Sequence, residues 1–205
     1  MKYKTVVVDP PWPVDFKGAQ RLNIVYPRKN KHGRLNEANY ELNTIDEILD
    51  FPINDFADNN AVLFLWVTSG KIDNVPIIDI GFDILKSWGF SYHTIITWVK
   101  HQGLAVFSPI RSITDHILMS WRGNFRNLIK SCGVMPSAFS THGYQIKHSE
   151  KPVRFYQLLR AWTPEPRINV FARNAHEGFD GWGDEYVGDG PLQEYLGPLQ
   201  EMLEG

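Results

Sequence analysis

Four consecutive residues, Asp9-Pro10-Pro11-Trp12, set a carboxylate, a stiff backbone and an aromatic ring side by side. Such a group suits the methylation of an amine conjugated to a ring. The lone pair of an exocyclic amine such as N6 of adenine is spread into its heterocycle, and acceptors aimed at both N–H groups pull the nitrogen toward tetrahedral geometry. Asp9 offers a carboxylate oxygen and Pro10 a backbone carbonyl, while the two prolines fix φ and exclude helix. Trp12 offers a stacking face for the ring. Asp-Pro-Pro alone is also ordinary turn punctuation. An aromatic in fourth place, just past a buried strand end where open α/β sheets hold ligands, favours the chemical reading.

That reading requires a methyl donor, ordinarily S-adenosylmethionine. No Gly-rich turn follows a strand. Instead the chain carries Phe171-Ala172-Arg173-Asn174, and then Gly181-Trp182-Gly183-Asp184-Glu185. The forked donors of Arg173 suit a carboxylate, although an isolated arginine is more often a surface ion-pair residue. His148-Ser149-Glu150-Lys151-Pro152 precedes a helical pattern, where free N–H groups and Lys151 favour an anion; an ordinary cap by Ser149 explains the same residues. The seven histidines include no His-x-x-x-His pair, so no metal is expected. Gly-x-Ser-x-Gly and Walker-type loops are also missing.

These residues need elements to hold them. Thr5–Val8 is a continuous apolar run, as in a parallel strand buried on both faces. Thr44 and Glu47 form a capping box that opens a short helix before Pro52, and Ala61–Val67 is a second buried strand. Ile77, Ile78, Phe82, Leu85 and Trp88 make a helical face stopped by Gly89. His93–Val99 and Ile113–Trp121 read as an antiparallel pair, followed by a loop from Gly123 to Tyr144. Pro152–Trp162 reads as a helix with Pro152 in its first turn, and Ile168–Phe171 as the last strand. Alternating strands and helices give an α/β sheet with one antiparallel pair.

Composition bounds the rest. With 205 residues, 43% hydrophobic and 21% charged, the chain suits one domain, taken as 1–187 with a tail at 188–205. The tail nearly repeats itself, Gly190-Pro-Leu-Gln-Glu-Tyr-Leu then Gly197-Pro-Leu-Gln-Glu-Met-Leu, and would dock its apolar side or fray. No apolar run is long enough to span a bilayer, and Cys132 is the single cysteine, so a cytoplasmic protein is expected. The net charge of −2 hides polarity: Lys17, Arg21, Arg28, Lys29, Lys31 and Arg34 share one segment without an acidic residue, and beyond Arg173 there is no Lys or Arg. This segment either tracks a polyanion or is a solvated loop.

Asp9-Pro-Pro-Trp, Leu63-Phe-Leu-Trp-Val-Thr-Ser, Trp88-Gly-Phe, Thr97-Trp-Val-Lys, His148-Ser-Glu-Lys-Pro and Phe171-Ala-Arg occur in this order. Together they resemble the MT-A70 family of adenine-N6 methyltransferases from about Lys4 to Glu185. The resemblance implies a Rossmann-like class I SAM-dependent fold, permuted so that the catalytic strand precedes the donor-binding strand. It implies a catalytic motif of Asp9, Pro10, Pro11 and Trp12. Donor contacts carry over to Lys151, Arg173, Asn174 and Asp184, with Asp9 beside them and His176 as an alternative to Asn174. Two departures stand out: the chain starts almost at the catalytic strand, so the donor pocket is expected to be more open, and little chain follows Arg173, so the sheet is expected to be trimmed or completed by a partner. The expected substrate is adenine in DNA, with Lys17 to Arg34 on phosphates. RNA, a free nucleotide or small amine, and a noncatalytic nucleic-acid-binding subunit are the alternatives, and homo- or hetero-oligomers are open.

Overall fold

The computed structural model describes residues 2–13, 44–100, 112–124, 128, 134–141, 151–183 and 186. The basic segment 17–34, residues 148–150, Cys132, Asp184 and the tail 188–205 lie outside the described residues, as does the link between the two antiparallel strands.

Nine strands are described: β1 Tyr3–Val8, β2 Ala57–Val67, β3 Lys71–Ile72, β4 Val75–Pro76, β5 Ser91–Lys100, β6 Thr114–Arg122, β7 Ala138–Thr141, β8 Arg167–Val170 and β9 Asp180–Trp182. Seven of them form one sheet in the order β7-β5-β6-β2-β1-β8-β9, while β3 and β4 make a small hairpin. β1 pairs parallel with both β2 and β8, β9 with β8, and β7 with β5; β6 is antiparallel to β2 and β5. Hence every strand of the sheet except β6 points the same way, and their carboxyl ends share one edge. The chain moves from β1 to β2 on one side and returns to β8 on the other, so a crevice opens at the β1–β8 boundary.

Among the described residues, helices α1 Ile45–Leu49, α2 Ile53–Phe56, α3 Ile77–Ser87 and α4 Val153–Trp162 are defined end to end. The expected capping box opens α1: Thr44 N–H donates to Glu47 Oε2 at 2.6 Å, and Glu47 N–H donates to Thr44 Oγ1 at 3.2 Å. On one face Ile48, Ile53, Ile84 and Leu85 pack on Val6, Val8, Leu63 and Leu65. On the other, Phe155, Tyr156 and Leu159 of α4 pack on Val7, Phe64, Trp66 and Ile117. With apolar residues serving both faces, the inner strands bury continuous runs.

Several expectations need correction. The stretch 123–144 is not all loop, because Ala138–Thr141 forms edge strand β7 along β5. β8 ends at Val170, since Phe171 turns away with φ 57°, and it is not the last strand: β9 follows. Pro152 is the N-cap of α4 rather than a first-turn residue. The buried face of α3 is Ile77, Gly81, Ile84 and Leu85, and Phe82 is exposed against Tyr92. Gly81 sets that face because a Cβ there would lie 2.9 Å from Leu118 Cδ1 and Val67 Cγ1, so the helix backbone sits directly on the sheet. Gly89 ends the helix as expected, with φ 75° and its N–H on Lys86 O.

Gly81→Val should therefore destabilise the protein by roughly 1–3 kcal/mol through overpacking. Urea unfolding measures this, and wild-type stability in the variant would contradict the close approach.

Candidate active site

The β1–β8 ladder carries one residue past the strand, where Asp9 N–H donates to Val170 O at 3.3 Å. This places Asp9 at the mouth of the crevice, and the register Val8↔Leu65 puts Trp66 beside it. Pro10 and Pro11 are buried, and the motif closes on itself as Trp12 N–H donates to Pro10 O at 2.9 Å. That turn folds Trp12 back into the core. Its side chain is 6% exposed, joins the cluster of Val8, Leu65 and Val67, and donates through Nε1 to Trp66 O at 3.1 Å. Trp12 is thus a brace under the motif, which corrects the expectation of an open stacking face. Pro10 O keeps one lone pair beyond its bond to Trp12.

Lys151, just before α4, places Nζ 3.0 Å from Asp9 Oδ1, and both side chains are 16% exposed. The same ammonium lies 4.8 Å from the centroid of the Trp66 ring. Burial pushes the Asp9 carboxyl above the usual carboxylate range; Lys151 and then Arg173 oppose the rise, and the negative charge of Asp115 adds to it. Lys151 and Arg173, singled out separately in the sequence, therefore act on the same carboxylate. Arg167 ties the end of α4 to the start of β8. It is buried between α4 and β8, and its guanidinium donates to Thr163 O at 2.6 Å and Arg160 O at 3.0 Å.

Asn174 is exposed. His176 stacks on Tyr156 with ring centroids 3.4 Å apart and planes at 13°, and burial lowers its pKa to about 4. Tyr156, buried beneath it, is raised above its ordinary pKa by desolvation and then by the charge of Asp9, while the Asn169 side chain opposes the rise. Sequence reasoning missed Trp66, Tyr156, Asn169 and Asp115. The signal lay in strand parity: Val7 pairs with Asn169, and Val7, Phe64, Trp66 and Ile117 share one face with α4.

A zwitterionic amino-acid donor needs cations for its carboxylate and an acceptor for its ammonium. Lys151 and Arg173 provide the first. Asn169 Oδ1 is buried without a hydrogen-bond partner and suits the second. Close backbone approach follows at Gly183, where a Cβ would stand 2.5 Å from Ala172 O. This residue set fits S-adenosylmethionine.

The MT-A70 family profile matches residues 3–185. The chain is 26% identical over 196 residues to the Type II methyltransferase M.MunI of Mycoplasma sp, covering 90% of this chain and 78% of that protein. It is 27% identical over 136 residues to the N6-adenosine-methyltransferase non-catalytic subunit MTB of Arabidopsis thaliana, covering 61% of this chain and 15% of that one.

A His176 pKa of about 4 lies below the ordinary value of 6.5, so the unfolded chain binds the extra proton first. The stability owed to the neutral ring is complete above about pH 6.5 and is lost as pH falls toward 4. Urea unfolding at pH 7, 6 and 5 should show wild type losing stability relative to His176→Phe, which keeps the stack without the titration. A difference between the two that stays constant with pH would refute the buried neutral ring.

Proposed function

Because this chain belongs to the MT-A70 family and is a methyltransferase, we propose that it transfers a methyl group from S-adenosylmethionine to N6 of adenine in DNA, held flipped or unpaired. The observation that carries the reading is the Asp9 carboxylate at the β1–β8 crevice, paired with Lys151 at 3.0 Å and braced from below by Trp12. The strand order supports a permuted Rossmann-like arrangement, with the catalytic strand first and β8, which leads to Arg173, beside it. One methyltransferase domain over 1–187, the tail at 188–205, and a cytoplasmic location belong to the same proposal. Among the described residues no helix is long and apolar enough to cross a membrane.

When bound, the donor supplies an electrophilic methyl on a sulfonium. Lys151 and Arg173 hold its carboxylate, Asn169 its ammonium, and Asn174 and Asp184 the remaining polar groups. Asp9 accepts one N–H of the target amine and Pro10 O the other, which turns the nitrogen lone pair toward the methyl. Methylation of N6 releases one proton, and Asp9, whose proton affinity burial raises, would take it up. Orientation of this kind is worth about 7–11 kcal/mol of barrier, so rigidity of the motif matters more than any one hydrogen bond. The basic residues Lys17, Arg21, Arg28, Lys29, Lys31 and Arg34 track phosphates, and their contacts offset the few kcal/mol that base extrusion costs.

Asp9→Ala should abolish methyl transfer while donor affinity, read by calorimetry, changes only a few-fold. Tritium transfer from labelled donor to DNA, RNA and adenosine, followed by nucleoside analysis, should give N6-methyladenine in DNA with wild type alone. Label at another atom, or a fully active variant, would sink the assignment. Neutralising the cations of 17–34 should weaken DNA binding and flatten its salt dependence, by about one unit of log–log slope per lost phosphate contact. An unchanged slope removes that segment from the interface.

A further inference from the structure

The Asp9–Lys151 pair has a counterpart two strands away. Lys100 at the end of β5 places Nζ 2.9 Å from Asp115 Oδ2 on β6, with side chains 27% and 17% exposed. Its ammonium stands 5.5 Å from the Trp98 ring centroid, and Trp98 Nε1 donates to Thr141 Oγ1 on β7 at 3.0 Å. Each pair therefore couples a carboxylate and a lysine to an indole. The two indoles meet edge to face, with Trp66 and Trp98 centroids 6.0 Å apart at 86°.

Register puts both pairs on one face and one edge. Trp98 pairs with Asp115, and Trp66 with Ile117, so Asp115 lies two residues along the same face as Trp66. Asp9 lies two residues past Val7 on that face, close enough for Asp115 to act on its charge. With β2 between them, β1 and β6 are two interstrand spacings apart, about 10 Å.

In-line transfer puts donor and target on opposite sides of the travelling methyl. Arg173 and Lys151, the latter over Trp66, mark the β8–β1–β2 side for the donor, which leaves the β6–β5 side for the base. An adenine gripped only through its amine is not distinguished from other aminated rings; a donor to a neighbouring ring nitrogen would distinguish it. Lys100 is a half-buried donor on that side. Beneath it the floor is buried, and it includes Trp66 Nε1, a donor without an acceptor.

Resting on the reading of adenine-N6 transfer, we propose that the Lys100–Asp115 pair reads the target base: Lys100 donates to a ring nitrogen beside the amine held by Asp9, and Asp115 fixes the ammonium in place. Lys100 is then a specificity-determining residue, and Asp115 and Trp98 are its positioning residues.

The test uses DNA pools with random flanks around one target base, either adenine, 1-deazaadenine or 7-deazaadenine. For wild type, loss of the ring nitrogen that Lys100 contacts should lower kcat/KM by about tenfold to a hundredfold, the range for a hydrogen bond to a charged group. Lys100→Met should lower kcat/KM on adenine by a similar factor and lose most of that discrimination, with donor affinity within about twofold of wild type. Fluorescence anisotropy of the same DNAs without donor should repeat the pattern. The comparison of ratios removes any change in amine reactivity caused by the deaza rings. Wild type that treats both deaza bases as adenine overturns the proposal, even if the variant does not fold, and so does a folded Lys100→Met that still discriminates. If wild type methylates none of the DNAs, the adenine-transfer reading fails, and the binding comparison alone then decides on Lys100.

Discussion

A carboxylate at the end of a strand buried on both faces has lost most of its water, and Asp9 is tolerable there only because Lys151 stands 3.0 Å away. The pair exists because two segments far apart in sequence, the end of β1 and the start of α4, meet at one edge of the sheet. Core packing enforces the meeting. Phe155, Tyr156 and Leu159 press α4 onto Val7, Phe64 and Trp66, while Arg167 ties the end of the helix to the start of β8. Removing either charge would leave the other buried and uncompensated, so the site is also a structural joint.

Strand direction turns that joint into a surface for chemistry. Since all strands of the sheet but β6 run one way, the residues after β1, β2, β5, β7 and β8 emerge at the same edge, and the reversal of β6 brings Asp115 there from its amino end. The antiparallel strand β6 pairs with both β2 and β5, which joins β5 and β7 to the rest of the sheet. The rim then carries Asp9, Lys151 and Arg173 at one part and Asp115 and Lys100 at another, over a floor of indole rings.

Much of this was legible in the chain. The capping box of Thr44 and Glu47, the run of Val6 to Val8 and the antiparallel pair depend on near neighbours or simple periodicity, and the structure reproduces them. Lys151 and Arg173 were legible as isolated cations beside a helix start and a strand end. Their convergence on Asp9 was not, because it depends on the order of strands. Edge strand β7 has four residues and β9 three, too few for a period to declare itself. Phe82 fits a helical stripe by spacing, yet Gly81 draws the helix so close to Leu118 and Val67 that the buried face rotates away from it. Trp66 and Asp115 are one hydrophobic and one acidic residue among many until cross-strand register sets them on a common face.

Trp12 shows how far a residue type can be read. An indole after Asp-Pro-Pro suggests a platform for a base, but the bond from Trp12 N–H to Pro10 O turns the ring inward, where Nε1 finds Trp66 O. The aromatic then stiffens the motif from below. Two prolines without N–H groups, a tight turn and a buried indole fix the direction of Asp9 and Pro10 O through covalent geometry and packing, which costs nothing further when substrate arrives. A motif so committed to rigidity has little surface left for affinity. In the proposed reaction, affinity and selectivity then fall to other parts of the rim, which cross-strand register rather than local sequence brings together.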